Sequence, residues 1–296
     1  MIDPKTKIVA TIGPASAPRE VLREMMLSGM DVCRLNFSHG NYAFYIELIR
    51  NIREVSAELG QYTAILADLQ GPKMRVGEMQ DGPIELVDGS ELIITTEAVK
   101  GRPGMVSTSY LQFPQDVNKG ELVLLDDGKL RLEVVATDGR TTVTTKVLNG
   151  GILSANKGLN LPNTKISLPC LTEKDKQDLE FALDHDVDWV GLSFVRSARD
   201  IIELKGIIHQ REKHARVVAK IEKPEALLEI DEIIRESDAL MVARGDLGVE
   251  IPMEKVPLVQ KDIIRRCLAQ HRPVIVATQM MESMITNITP SSGWPR

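Results

Sequence analysis

Two apolar runs each end in charge: Val217-Val218-Ala219-Lys220-Ile221-Glu222 and Ala239-Leu240-Met241-Val242-Ala243-Arg244-Gly245-Asp246. Residues two apart on a strand share a face, so Lys220 and Glu222 are expected to point the same way. A carboxylate from the next strand, Asp246, would complete a site for a hard cation beside a fixed ammonium. Mg²⁺ suits such a site, because it takes one or two carboxylates and fills its other positions with substrate oxygens and water. For Lys220 and Glu222 taken alone, a structural ion pair at a strand end is the alternative.

Other strand ends carry chemistry as well. Arg34, Asn36 and Ser38 follow one another at period two, then His39 and Gly40. Asp68, Gln70 and Lys73 close another run, and Thr278 and Gln279 a further one. Arg34 or Asp68 singly also reads as a salt bridge within the sheet, but a basic cluster facing a carboxylate pair is what an anionic, phosphorylated substrate on Mg²⁺ requires.

The elements that must position these groups alternate along the chain. Strands are expected over 7–12, 32–37, 63–69, 188–195, 217–222, 239–243 and 274–278. Most are apolar without strict alternation, as in strands buried on both faces of a parallel sheet. Between them lie amphipathic helices over 41–59, 198–211, 224–235 and 257–269. Another follows Ser16-Ala17-Pro18 and ends near Gly29. Thr172 with Asp175 has the spacing of a capping box before Leu179, Ala182 and Leu183. Polar groups gathered at the C-terminal ends of many strands favour an α/β, TIM-type (β/α)8 barrel over an open sheet.

One stretch breaks the rhythm. From 72 to 166 the pattern is short alternating strands, with turns at Asp81-Gly82, Asp88-Gly89, Asp127-Gly128 and Asp138-Gly139. This reads as an inserted small β-barrel domain, 72–166, within a discontinuous barrel domain formed by 1–71 and 167–296. The barrel portion is about 200 residues, near the lower limit for the fold. Seven strands can be counted in it, and an eighth cannot.

Composition excludes several classes. Of 296 residues 43% are hydrophobic and 4% aromatic, so an aliphatic core is expected. A net charge of -6 argues against a nucleic-acid partner. No run is long enough to cross a membrane, and Asp3, Lys5 and Lys7 interrupt any signal-peptide core, so the expected compartment is the cytoplasm. Cys33, Cys170 and Cys267 are scattered without metal or redox spacing and read as buried, reduced thiols. Asn287-Ile288-Thr289 is a formal glycosylation sequon that has no meaning without a secretory route.

Seven motifs, in order, resemble the pyruvate kinase family. They are Thr6-Lys-Ile-Val-Ala-Thr-Ile-Gly-Pro14, Arg34-Leu-Asn-Phe-Ser-His-Gly40, Asp68-Leu-Gln-Gly-Pro72, Lys157-Gly-Leu-Asn-Leu-Pro162, Ala219-Lys-Ile-Glu-Lys223, Met241-Val-Ala-Arg-Gly-Asp-Leu-Gly248 and Ala277-Thr-Gln-Met280. The resemblance implies phosphoryl transfer from phosphoenolpyruvate to ADP, the last step of glycolysis, giving ATP and pyruvate. It implies Glu222 and Asp246 as Mg²⁺ ligands, with Mn²⁺ as a substitute ion, and Lys220 as the stabiliser of the transferring phosphoryl group. Arg34 and Arg75 then resemble phosphate contacts, and the backbone of Gly245 and Asp246 a carboxylate cradle. Thr278 resembles the threonine on the path of enolate protonation. His39, Arg75 and Lys157 resemble nucleotide-side contacts, and the insert a lid.

Two departures from the family pattern qualify this. Many members carry Glu where this chain has Lys73, and in them residues matching Asn36, Ser38 and Asp68 are K⁺ ligands. The ammonium of Lys73 is expected to replace K⁺ and make it dispensable. After Pro290 the family usually continues into an eighth strand and a C-terminal domain that builds its homotetramer, whereas Ser291-Ser-Gly-Trp-Pro-Arg296 resembles neither. The chain is therefore expected to be a truncated pyruvate kinase whose first and seventh strands lack a closing neighbour and whose activity is impaired. The other readings are an inactive binding fragment and a Mg²⁺-dependent barrel lyase acting through an enolate.

Overall fold

The structure, a computed structural model, describes residues 5–278. Gln279, the Asn287 sequon and the run after Pro290 lie outside the described residues.

Seven strands form one parallel sheet in the order β1 (Ile8–Thr11), β2 (Met30–Asn36), β3 (Ala64–Asp68), β12 (Trp189–Leu192), β13 (Arg216–Ile221), β14 (Ala239–Ala243) and β15 (Val274–Ala277). Except for the excursion between β3 and β12, neighbours in the sheet are neighbours in the chain, joined by helical crossovers. These are α1 (Arg19–Leu27), α2 (Tyr42–Leu59), α5 (Ala198–Gln210), α6 (Glu225–Leu228) with α7 (Ile230–Glu236), and α8 (Arg244–Glu250) with α9 (Val256–Ala269). This is the barrel expected from the alternation. Among the described residues β1 and β15 stand at the two ends of the strand order.

Period two divides each strand between two apolar layers. Ile65, Ala67, Val217, Ala219, Ile221, Leu240 and Val242 pack outward into the main core with the helices. Leu66, Val218, Ala239 and Met241 meet inside the curl of the sheet, with Val9, Val32 and Ile275 against them. Arg34 follows Val32 in phase, Asp68 follows Leu66, and Lys220 and Glu222 follow Val218. The interior phase therefore turns from apolar to charged at the same end of three strands, β2, β3 and β13, which brings distant residues to one place.

Helix ends match their chemistry. Asn41 caps α2 by accepting from the Phe44 amide, and Gly60 closes it with a left-handed φ of 61°. The Thr172–Asp175 capping box opens α4 (Glu173–Asp184). A second box, Ser197 with Asp200, opens α5. The single helix expected over 224–235 is instead two short helices that break at Glu229. The break leaves Leu228 exposed and turns Ile230, Ile233 and Ile234 into the core. The strand expected over 188–195 ends at Leu192, because Phe194 leaves extended geometry with φ 56°.

Between β3 and α4 the chain forms β4 (Ile84–Leu86), β5 (Glu91–Thr95), β6 (Met105–Ser107), α3 (Phe113–Asp116), β7 (Leu122–Leu125), β8 (Leu130–Thr137), β9 (Thr142–Asn149), β10 (Gly151–Leu153) and β11 (Leu159–Asn160). They pair as a two-stranded sheet, β10-β4, and a six-stranded one, β11-β7-β8-β9-β5-β6. A separate cluster built on Leu92, Phe113, Val123, Leu132 and Val143 fills this portion. Gly82, Gly89, Gly128 and Gly139 all take positive φ, as the Asp-Gly turns require.

All three cysteines are buried. Burial pushes the Cys33 thiol up to about 12 and Cys267 to about 11, and raises Cys170 well above the ordinary thiol range. No helix among the described residues is long and apolar enough to cross a membrane.

Candidate active site

Lys220 is the hub. Its Nζ donates to Ser193 Oγ at 2.6 Å and stands 3.0 Å from Glu222 Oε1 and 3.1 Å from Asp68 Oδ1. Burial alone would push this ammonium down, but the charges of Glu222 and Asp68 outweigh it and the net shift is upward. Lys220 is a fixed cation at any physiological pH.

Asp68 serves two cations. Arg34 Nε donates to its Oδ2 at 2.7 Å and Arg34 Nη2 closes on the same oxygen, while Arg34 Nη1 donates to Thr11 Oγ1 at 2.7 Å. Among the described residues Oδ1 accepts no directed hydrogen bond and meets Lys220 as an ion pair. The close approach behind it needs Gly191, where a Cβ would lie 3.0 Å from Asp68 Oδ1.

Glu222 is held on both oxygens, by Lys220 on one and by the Phe194 amide, 2.9 Å away, on the other. Phe194 reaches it from a left-handed backbone that non-glycine residues rarely adopt. Burial raises the Glu222 carboxyl most, Lys220 opposes this, and the charge of Asp246 raises it further. Two carboxylates close enough to repel are what a divalent cation would relieve. Among the described residues no group of three or more His, Cys, Asp and Glu side chains could hold a metal. A pair of carboxylates is the kind of donor set that suits Mg²⁺ completed by substrate oxygens rather than a protein-only cage.

Asp246 lies exposed in the first turn of α8, which starts where β14 stops. The Gly245 amide donates to Thr278 Oγ1 at 3.4 Å. Arg244 Nε donates to Ala277 O at 3.0 Å, and its Nη2 donates to Thr278 O, so this arginine ties α8 to the end of β15.

The remaining expected residues sit around this centre without all joining it. Asn36 Oδ1 accepts from the Ser38 amide at 3.2 Å, and the Phe37 amide donates to Asp68 O at 3.0 Å. His39 is exposed, and its carbonyl accepts from Tyr45 Oη. Lys73 is exposed, and among the described residues its side chain makes no ion pair or hydrogen bond, so it is not brought onto Asp68. Arg75 Nη1 donates to Asn156 O at 2.9 Å, and its backbone bridges Gly158 across the neck of the insert. Lys157 pairs with Asp126 at 2.8 Å, and this contact with Lys129 behind it holds the Asp126 carboxyl below its usual range.

Sequence reasoning missed Ser193, Phe194 and Arg244. Ser193 Oγ both accepts from Lys220 and donates to Leu69 O at 2.7 Å, bridging β3 and β13. The criterion that found Asp68, a polar residue closing an apolar strand, applies equally to Ser193 once β12 is ended at Leu192. At the opposite mouth of the sheet a cleft of about 810 Å³ is bordered by Tyr62, Asp188, Trp189 and Arg216. It contains none of the groups above.

The pyruvate kinase barrel-domain model matches residues 3–293. The chain is 46% identical over 289 residues to a pyruvate kinase of Geobacillus stearothermophilus, and likewise to one of Sporosarcina psychrophila. It is 46% identical over 284 residues to a pyruvate kinase of Staphylococcus aureus strain MRSA252. These alignments take in 96–97% of this chain and 48–49% of the relatives. The chain spans about half the length of the curated relatives it matches.

Proposed function

Because this chain belongs to the pyruvate kinase family, we propose that the C-terminal end of its barrel binds Mg²⁺ and phosphoenolpyruvate and transfers the phosphoryl group to ADP, leaving an enolate that is protonated to pyruvate. The observation that carries this reading is the pair of cations fixed by Asp68: Lys220 at 3.1 Å and Arg34 at 2.7 Å, both on the interior face beside Glu222. Positive charge locked in place before reaction stabilises a transferring phosphoryl group without reorganisation.

In this reading Glu222 and Asp246 hold the metal, Mg²⁺ or Mn²⁺. When bound, the metal polarises the substrate's oxygens and favours the developing enolate. Lys220 carries the point charge that follows the phosphoryl group, and Ser193 fixes its direction. Arg34 contacts phosphate, with its guanidinium oriented by Asp68 and Thr11. The amides of Gly245 and Asp246 hold the substrate carboxylate. Thr278 lies on the proton path to the enolate carbon and works through water, because a hydroxyl is a poor acid alone. Arg75, Lys157 and His39 face the nucleotide, and residues 72–166 act as a lid that excludes water from the phosphoryl group.

K⁺ independence belongs to the same proposal. Lys73 follows Gly71-Pro72 in the loop after β3, and its exposed ammonium, engaged by no other described residue, would have to turn inward to reach the position framed by Asn36, Ser38 and Asp68. The protein's site of action is proposed to be the cytoplasm.

Titration calorimetry of Mg²⁺-dependent phosphoenolpyruvate binding, paired with a coupled pyruvate assay, tests the assignment. Glu222→Gln and Asp246→Asn should each weaken binding by at least ~10-fold while the fold is kept, since each removes one anionic ligand. Unchanged binding in both variants would refute it.

A further inference from the structure

Asn160, on the returning strand β11 of the insert, donates from Nδ2 to Glu250 Oε1 at 2.8 Å. Glu250 is the last residue of α8, the helix that carries Gly245 and Asp246. The same oxygen accepts from Lys223 Nζ at 2.8 Å, and Lys223 directly follows Glu222. The Lys223 and Glu250 side chains are only 2% and 1% exposed. Glu250 Oε2 is buried and accepts no hydrogen bond from the described residues. One carboxylate oxygen thus joins the insert, the end of β13 and the end of α8.

A buried ion pair of this kind is weak evidence for stability, because desolvation offsets most of its attraction. Its value lies in specifying an arrangement. With the insert docked, the Asn160 amide supplies the Glu250 carboxylate with its one hydrogen bond from outside the barrel among the described residues. Were the insert to lift, that bond would be lost and water would reach the pair. A second contact lies beside it: a Cβ on Gly128, in the turn after β7, would stand 3.6 Å from Val249 Cγ1 of α8. Lys157 and Lys129 hold that turn through Asp126.

We propose that Asn160, Glu250 and Lys223 form a latch through which docking of the insert positions the two carboxylates Glu222 and Asp246. They are positioning residues, since none is offered to substrate. Lys223 anchors the chain one residue beyond Glu222, and Glu250 anchors the helix whose first turn bears Asp246. The metal role of those two carboxylates rests on the function proposed above, whereas the latch itself rests on the contacts alone.

The test uses Asn160→Ala, which leaves the ion pair intact, and Asn160→Asp, which keeps the shape but sets a second carboxylate against Glu250. Hydrogen exchange is followed in residues 124–129 and 247–251, and Mg²⁺ is titrated calorimetrically with phosphoenolpyruvate present. In Asn160→Ala, exchange in both segments should quicken by about tenfold, the factor that a lost hydrogen bond to a charged group gives. Mg²⁺ affinity should fall about three- to tenfold, as when support around a metal site is lost. Asn160→Asp should exceed Asn160→Ala in both. A side chain needed only to fill space would leave Asn160→Asp like the parent, and that result overturns the latch, as does unchanged exchange in Asn160→Ala. Quickened exchange with unaltered Mg²⁺ affinity overturns the coupling to the carboxylates. If the parent chain binds no Mg²⁺, the function proposed above is refuted, and exchange alone decides the latch.

Discussion

Replacing Lys220 with methionine should destabilise the protein by an amount that grows with pH. The ammonium sits between two carboxylates, but their fates differ once it is gone. Asp68 keeps Arg34 on its Oδ2, whereas Glu222 keeps only the Phe194 amide. One buried charge is therefore left uncompensated, and removing one partner of a buried pair costs ~3–5 kcal/mol. Coulomb attraction at 3.0 Å with an effective dielectric of ~20 gives about 5–6 kcal/mol, the same order. The sign with pH follows from the direction of the Glu222 shift. Burial raises its folded-state carboxyl above the ordinary value, and Lys220 is the largest opposing influence, so the variant raises it further. A raised carboxyl favours the fold while it is protonated, and that advantage is lost as pH rises through the folded value. Urea unfolding followed by circular dichroism at pH 5 and pH 8 should show a deficit that is small at the first and near its full size at the second. The Lys220→Met/Glu222→Gln double variant, which leaves no orphaned charge, should recover most of the loss at pH 8. A double variant no more stable than Lys220→Met, or a deficit larger at pH 5, would refute the reasoning.

Gly71→Ala should cost about 1–3 kcal/mol and lower any phosphotransferase rate as well. Its φ of 72° is left-handed, and the added Cβ would fall 2.7 Å from Phe194 Cδ2 and 2.9 Å from Ser193 Cβ, displacing the residues that hold Glu222 and Lys220. Thermal melts and steady-state kinetics read both, and an unperturbed melt would show that the loop yields freely. Any phosphotransferase rate should be unaffected by adding K⁺ at matched ionic strength, and Lys73→Glu should make it K⁺-dependent. A rise of an order of magnitude on adding K⁺ to the parent chain would contradict this.

Most of the fold was legible because burial on both faces writes itself into strands such as Val217–Ile221 and Ala239–Ala243 as continuous apolar runs. Capping at Asn41 and Thr172 and the Asp-Gly turns were equally local, hence equally readable. At the site, Lys220, Glu222, Asp68 and Arg34 could be picked out because charge replaces apolar character in a fixed strand phase. What could not be read were partnerships between distant strands. Nothing near Ser193 announces that its hydroxyl meets an ammonium 27 residues away. Phe194 adopts a glycine-like backbone without being glycine, so no residue type signals that its amide will face Glu222. Asn160 and Glu250, 90 residues apart, meet only because the insert docks on α8. The helix break at Glu229 was hidden for the opposite reason: local propensity favours continuity there, and packing of Ile230, Ile233 and Ile234 overrides it.

The sealed cysteines have a practical consequence for labelling. A thiol pushed to about 11 or above offers a thiolate fraction of about 10⁻⁴ or less at neutral pH, and burial denies reagents access as well. The native protein is thus close to a silent background for maleimide chemistry. A single cysteine introduced on the turn at Asp127 would carry a fluorophore next to α8 with no need to remove Cys33, Cys170 or Cys267. Emission from that dye would report in real time whether the insert moves against α8, in a chain whose core was never altered to make the measurement.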